Sequence, residues 1–245
     1  RAVSAKTTTK VGAQPVPKSI IHRWKQVFPH HDYDTNYGLS ESTGPGCVHL
    51  GVENIDHVGA IGVPGYRWEC KIVDEAGNEV AQGEVGELCV KGPGLMTCYY
   101  NDPEATAETL IDGWLHTGDM ARQDDEGFYW LVDRKKDVII TGGENLYPVQ
   151  IEDFLQGYFA VKDVAVIGLP DERLGEIAAA IIELKPGRGA TEEDIMQYCS
   201  KLPRYKRPRK IIFADVPRNA TGKIEKPLLR ERYGATGLVD KESNR

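Results

Sequence analysis

The alternation of apolar and polar positions changes character near residue 133. Before it, the pattern is mainly of period two. Trp68, Cys70 and Ile72 alternate with Glu69 and Lys71, GELCVK spans 86–91, and a further short run covers 128–132. These read as twisted antiparallel strands, with turns at Glu75-Ala76-Gly77-Asn78 and Asp124-Asp125-Glu126-Gly127. Two helices interrupt them. Ile20, Ile21, Trp24 and Phe28 share one side of a segment from Pro17 to Phe28, and Asp102 followed by Pro103 is a cap with a first-turn proline. Residues 1–10 carry no periodicity, and Val11 to Pro17 reads as a Gly/Pro loop.

After residue 133, helical spacing alternates with strand-length apolar runs. Ile151, Phe154, Leu155 and Tyr158 fall at i, i+3, i+4 and i+7. Thr191 caps a second helix carrying Ile195, Tyr198, Cys199 and Leu202, which Pro203 ends. Val164 to Leu169, Ile177 to Leu184 and Lys210 to Val216 are expected strands, and Glu225 to Arg232 a last helix. Residues 235–245 are expected to be loose. The expectation is a β-rich part over 1–133 and a small α+β domain over 134–245.

Composition narrows the class without choosing a function. With 245 residues, 40% hydrophobic and 27% charged, the chain suits one large or two modest globular domains. A net charge of −7 argues against general nucleic-acid binding, which needs a basic surface. No stretch reads as a membrane span or signal peptide, so the default expectation is a cytoplasmic enzyme or module. Cys47, Cys70, Cys89, Cys98 and Cys199 are widely spaced with no C-x-x-C pair, the pattern of reduced, mostly buried thiols. The histidines show no metal spacing, and the four tryptophans read as core.

The junction itself is DRKKDVIITGGENLYPVQIE over 133–152. Charged residues before a short apolar run suit an exposed hinge. The glycines suit a backbone that approaches something closely, and Pro148 suits a first helical turn.

Three further patterns could carry chemistry, each with a second reading. In YGLSE (37–41), an aromatic beside glycine can stack on a base and the glutamate can hold Mg²⁺; the same pair also ends ordinary strands. In WLHTGD (114–119), one carboxylate can accept from two ribose hydroxyls, or serve as a turn aspartate. In PRNATGKIEK (217–226), Lys223 stands on a flexible tip, suited to a transferring phosphoryl group or simply solvated.

Together, in this order and spacing, the four patterns resemble the adenylate-forming superfamily: acyl-CoA synthetases, aryl-CoA ligases, peptide-synthetase adenylation domains and luciferases. The likeness runs from about Gly12 to Lys226. It implies the end of a large N-terminal domain, β-rich and shaped as a distorted barrel, followed by a small mobile α+β lid. It also implies roles. Gly12, Ala13 and Gln14 would lie along adenine and the acyl pocket, with Tyr37 and Gly38 at the base and Ser40 beside the phosphates. Glu41 would bind Mg²⁺. Asp119 and Arg134 would hold the ribose, and Lys136 would be the hinge. Gly142, Gly143, Glu144 and Asn145 would enter the thioester channel, and Lys223 would serve the first half-reaction. The implied substrates are a carboxylic acid, ATP and CoA.

Two departures accompany the likeness. The family's Ser/Thr/Gly-rich phosphate loop has no counterpart here, and most of the large domain before Gly12 is not in the sequence. The expectation is therefore the C-terminal part of a longer carboxylate–CoA ligase, with little ATP turnover unless that N-terminal region is present. GGENLYP leans towards ligases of fatty and aryl acids. The rivals are an adenylating module that loads a carrier-protein pantetheine and a non-catalytic binding module.

Overall fold

Period-two patterning in the first part yields two sheets. The computed structural model describes residues 8–11, 18–29, 32–49, 57–220 and 222–234. Contacts separate the chain into two units, Arg1–Lys135 and Lys136–Arg245.

In the first unit, β1 (Thr8–Val11), β2 (Asp32–Leu39), β3 (Gly44–His49) and β4 (Val63–Pro64) form one sheet in that order. Strands β1 and β2 run parallel, and helix α1 (Lys18–Val27) lies between them in the chain. Residues 1–10 carry no periodicity, yet Thr8–Val11 is a strand. There the ladder to β2 satisfies backbone groups whatever the side-chain pattern.

The second sheet holds β5 (Glu69–Val73), β6 (Gly86–Lys91), β7 (Leu110–Ile111), β8 (Trp114–Gln123) and β9 (Tyr129–Arg134). Its order is β5-β6-β8-β7, and β9 also pairs with β8. Helix α2 (Pro103–Thr109) precedes β7, and Asp102 caps it by accepting from the Ala105 N–H at 3.0 Å.

Tyr37 and Cys47 from the first sheet share a core with Leu88, Val90, Leu115 and Tyr129 from the second. Gly62 lets the chain pass between β3 and β9. Its φ is +101°, and a Cβ there would stand 1.9 Å from the Val48 carbonyl oxygen. Its own carbonyl accepts from the Tyr129 N–H at 2.8 Å, which joins the two sheets.

The second unit is a sheet covered on both faces. It contains β10 (Ile139–Thr141), β11 (Glu144–Leu146), β12 (Val161–Asp171), β13 (Gly175–Leu184) and β14 (Lys210–Phe213). Strand β13 pairs with β12 along its length and with β10 and β14 on its other edge. Helices α3 (Pro148–Gln156) and α4 (Glu192–Cys199) supply Ile151, Leu155, Ile195 and Cys199 to one core, against Val164, Val166, Ala180 and Ile182. Helix α5 (Lys226–Gly234) supplies Leu229 to the other, against Ala165, Ile167, Ala179 and Ile181. Burial on both faces is why these strands read as continuous apolar runs rather than alternating ones. A fully buried leucine such as Leu155 contributes roughly 1.5–3 kcal/mol by leaving water.

Strand β14 is shorter than the Lys210 to Val216 run. The ladder ends where the Ala214 N–H bonds the Ile182 carbonyl at 3.1 Å, and Val216 turns into the α5-side core. The architecture is α+β. Among the described residues, no helix is long and apolar enough to cross a membrane. The cysteines are free thiols; Cys47, Cys89 and Cys199 are buried, and Cys98 is exposed.

Candidate functional site

Strands β2, β8 and β9 bring Tyr37, Asp119 and Arg134 into one chain of contacts. Tyr37 Oη donates to Asp119 Oδ2 at 2.6 Å. Arg134 faces Asp119 across the β8–β9 ladder, with Nε 3.5 Å from Oδ1. Burial pushes the Tyr37 phenol well above its ordinary range and the neighbouring carboxylate adds to it, so the group stays protonated and donating. The Tyr37 ring is itself part of the core, and it is the hydroxyl that meets the site.

Asp119 ends a segment that bows out of its sheet. Strands β6 and β8 pair at Glu87↔Met120 and again at Cys89↔His116, so Leu88 alone stands opposite Thr117, Gly118 and Asp119. Gly118 has φ +70°, which favours glycine. Side chains replace the lost ladder bonds. The Gly118 N–H donates to Glu87 Oε1 at 3.0 Å, and the Asp119 N–H to Thr117 Oγ1 at 3.1 Å. The Thr117 hydroxyl donates to the Leu88 carbonyl at 2.7 Å. Bulges commonly re-aim a side chain beside a site.

Glu87 also meets Lys135 Nζ at 2.9 Å and His116 Nδ1 at 3.2 Å. Burial opposes its ionisation, but hydrogen bonds from Lys135 and His116, the Lys135 charge and the Gly118 amide outweigh it. The carboxyl is held below its ordinary value.

Glu41 sits on the short 3₁₀ turn Ser40–Ser42 that follows β2. Ser42 ties that turn together: its hydroxyl lies 2.9 Å from the Leu39 N–H and 2.7 Å from the Gly44 carbonyl. Glu41 Oε1 accepts from Tyr99 Oη at 2.9 Å, and its carbonyl accepts from the Met96 N–H at 2.7 Å. Burial, then the Glu41 carboxylate, raise the Tyr99 phenol. Ser40, which opens this turn, and Gly38 just before it are exposed. Gly12, Ala13 and Gln14 lie outside the described residues.

In the second unit, Lys136 is exposed within the 3₁₀ turn Lys135–Asp137, whose Asp137 is buried and paired with Arg230 of α5 at 2.6 Å. Gly142 and Gly143, at φ 59° and 85°, make the two-residue turn of the β10–β11 hairpin. Glu144 and Asn145 are exposed on β11, so the expected loop is a hairpin end rather than irregular chain.

Lys223 is exposed, but its backbone is not the loose tip its Gly-Lys context suggests. Its N–H donates to Asn219 Oδ1 at 2.9 Å, and its carbonyl accepts from the Asn219 N–H at 2.9 Å. Arg218 donates to the Gly222 carbonyl at 2.5 Å and forks onto Asp163 of β12 at 2.7 and 2.9 Å. The ammonium is therefore an exposed end on an anchored base.

A cavity of about 430 Å³ in the first unit is lined by Lys71, Trp114, His116, Glu87 and Lys135 among others. Tyr37, Asp119 and Arg134 do not line it; it meets the site above only through Glu87, His116 and Lys135. In the basic cluster 204–210, Arg207 is occupied by the Leu202 and Ser200 carbonyls and Lys206 by Gln150. Trp114 is half-buried with the Lys71 ammonium 4.6 Å from its ring, so it is not a core residue as its sequence context suggests.

Reading the sequence missed Glu87, Thr117, Tyr99 and the pairing of His116. For Glu87 a signal existed: it is the lone acid within GELCV, whose five residues are all buried.

Two family models match the chain: AMP-binding enzyme over residues 2–100, and AMP-binding enzyme C-terminal domain over residues 150–223. The long-chain-fatty-acid–CoA ligase FadD13 of Mycobacterium tuberculosis is 41% identical over 229 residues, which is 92% of this chain and 44% of the relative. Feruloyl-CoA synthase of an Amycolatopsis species is 37% identical over 95% of this chain and 47% of its own. Among solved structures, the o-succinylbenzoate CoA synthetase of Bacillus subtilis, in complex with its acyl-adenylate intermediate, matches with a TM-score of 0.83. It is 29% identical over 97% of this chain and 46% of that one. The chain thus spans less than half the length of the relatives it matches.

Proposed function

The chain belongs to the adenylate-forming family of AMP-binding enzymes, and from that premise we propose that it is part of a carboxylate–CoA ligase. Such an enzyme joins an organic acid to AMP and then passes the acyl group to CoA. The observation that carries this reading is the contact chain Tyr37–Asp119–Arg134, which gathers two ribose-type partners and an aromatic group on neighbouring strands.

In the first half-reaction the acid's carboxylate oxygen attacks the α-phosphorus of ATP and pyrophosphate leaves. Asp119 accepts from the ribose hydroxyls, with its second oxygen steadied by Arg134. Lys223 brings its ammonium to the phosphoryl oxygens where charge builds, on a hairpin that Arg218 anchors to Asp163. Glu41 fits magnesium: it is one carboxylate with an oxygen beyond the one Tyr99 occupies, and Mg²⁺ commonly takes one or two carboxylates and completes its shell with phosphates and water. When bound, the ion supplies charge neutralisation on those phosphates.

In the second half-reaction the CoA sulfur attacks the acyl carbon and AMP leaves. Lys136 is the pivot that withdraws Lys223 and offers the turn Gly142-Gly143, with Glu144 and Asn145, to the thiol channel. We assign the first unit, through Lys135, to the large nucleotide-binding domain and the second, from Lys136, to the lid, a boundary two residues later than the 1–133 and 134–245 division expected from the sequence. The sequence holds no Ser/Thr/Gly-rich phosphate loop, so adenylation is expected to need the N-terminal region found in longer relatives. Fatty or aryl acids are the substrate class, as the names of the relatives suggest.

Pyrophosphate exchange over a panel of fatty and aryl acids tests this. It is run on the 245-residue chain and on the chain joined to the N-terminal region of a full-length relative. Exchange is expected in the joined enzyme only. A joined enzyme that folds yet exchanges with no acid would overturn the reading. Adding CoA or a phosphopantetheinylated carrier and weighing the product identifies the acceptor.

A further inference from the structure

Glu87 is a buried charged group to which the two half-reactions give no part. Its side chain is 9% exposed on β6, and its oxygens are shared by three donors: the Gly118 amide, Lys135 and His116. A carboxylate leaves water at a high cost unless donors replace the solvent, so its partners matter. They are not arbitrary neighbours. His116 and Gly118 lie three residues and one residue before Asp119, and Lys135 follows Arg134, the residue that faces Asp119 across the ladder.

We propose that Glu87 is a positioning residue for the nucleotide. One carboxylate holds the bowed Thr117-Gly118-Asp119 segment in the shape that presents Asp119 to the ribose. Through Lys135 the same carboxylate grips the last residue of the first unit. Any swing of the second unit then begins at Lys136 and leaves Asp119 and Arg134 undisturbed. The inference rests on the adenylation reading for the identity of the ribose, but not for the grip itself.

The geometry favours this role over simple cohesion. In a bulge, the amides of the extra residues lose their ladder acceptors, and leaving one unsatisfied is costly. Of the two amides that close this bulge, one goes to Thr117 and the other to Glu87, so without Glu87 the turn at Gly118 has no side chain to define it. Gln in place of Glu87 keeps the shape and a carbonyl acceptor but removes the charge. A residue that only added stability would, on that change, lower the unfolding midpoint and leave nucleotide selectivity as it was.

The test titrates AMP and 2′,3′-dideoxy-AMP into the 245-residue chain, comparing the parent with Glu87→Gln. The parent is expected to prefer AMP, since only AMP offers Asp119 its hydroxyls. Glu87→Gln is expected to reduce that preference about tenfold, the scale of one hydrogen bond to a charged group. If the variant binds AMP with the full preference, the positioning role is overturned.

Hydrogen exchange on the same proteins needs no nucleotide. Glu87→Gln is expected to speed exchange at the Gly118 amide and over residues 133–136. Lys135→Met is expected to speed it over 133–136 alone. Unchanged exchange at both segments in Glu87→Gln overturns the inference. A parent that shows no preference for AMP counts instead against the ribose role of Asp119, and the exchange result then decides Glu87 by itself.

Discussion

The two places that matter in this chain are built on opposite principles. Around Asp119, in the first unit, Tyr37 and Asp119 are buried and Arg134 is half-exposed, and the three are cross-linked over three strands, so on the proposed reading they meet a ligand already arranged. Around Lys223, in the second unit, the backbone is tied and the working group is exposed. Asn219 and Arg218 hold the backbone while the ammonium stays in solvent. A binding partner gains from pre-arrangement because ordering it during association costs free energy. A group that must arrive and then withdraw gains from a rigid base and a free end. On the function we propose, the contrast would divide the labour between holding the nucleotide and delivering charge to it.

Removing the delivered charge is the largest blow this contrast predicts. Lys223→Ala, in the chain joined to a full N-terminal region, is expected to lower pyrophosphate exchange by roughly a hundred- to a thousandfold, the usual loss for one preorganised partner of developing charge. Thioester formation from supplied acyl-adenylate should persist. Thermal stability should hardly change, since exposed side chains carry little of it. Equal losses in both half-reactions would break the division of labour.

Next comes the held side. Asp119→Asn is expected to weaken AMP binding by about ten- to a hundredfold, as loss of charged hydrogen bonds does. It should also lower the urea midpoint, because Tyr37 loses a charged acceptor. Calorimetric titration and urea unfolding measure the two effects. A change in affinity with no change in stability would show that Asp119 is less built-in than its contacts imply.

A smaller effect separates the units by pH. The folded Glu87 carboxyl lies below its ordinary 4.5. Its contribution to stability is therefore fully present above that value and lost as pH falls through the lowered one. Urea midpoints followed by Trp114 and Trp130 fluorescence should fall more steeply below about pH 4.5 in the parent than in Glu87→Gln. Parallel curves would mean that the Lys135 and His116 contacts do not favour the ionised form.

The smallest expected effect is that of Arg218→Ala. Its fork onto Asp163 is 41% exposed on the arginine side. Such pairs contribute about 0.2–1 kcal/mol, so the unfolding midpoint should shift only slightly. Exchange of the Lys223 amide should nonetheless rise. If the amide stays as protected as before, the hairpin is held by Asn219 alone.

Much of this was legible in the order of residues. Helices α2 and α4 announced themselves through Asp102-Pro103 and Thr191, because a cap and its first turn are local chemistry. The apolar runs at 164–169 and 177–184 marked β12 and β13 as strands, while their cover on both faces emerged only from the fold. The family patterns singled out Tyr37, Asp119, Arg134 and Lys223 as residues to examine together. Strand β1 was hidden because its pairing with β2 makes no demand on side-chain pattern. The ends of β14 and of the Gly142–Asn145 segment were hidden because ladder contacts decide where a strand stops.

What sequence alone settled, then, is what depends on neighbours within one or two turns: caps, turns, apolar faces and the family's recurring short patterns. What only the tertiary structure decided is which distant residues answer one another. Tyr37 lies 82 positions from Asp119, and Glu87 lies 48 from Lys135. Nothing in their local context specifies the bond between them. A buried carboxylate takes whichever donors the folded strands set beside it, so Glu87 could be recognised as a hub only after β6, β8 and the end of β9 had come together.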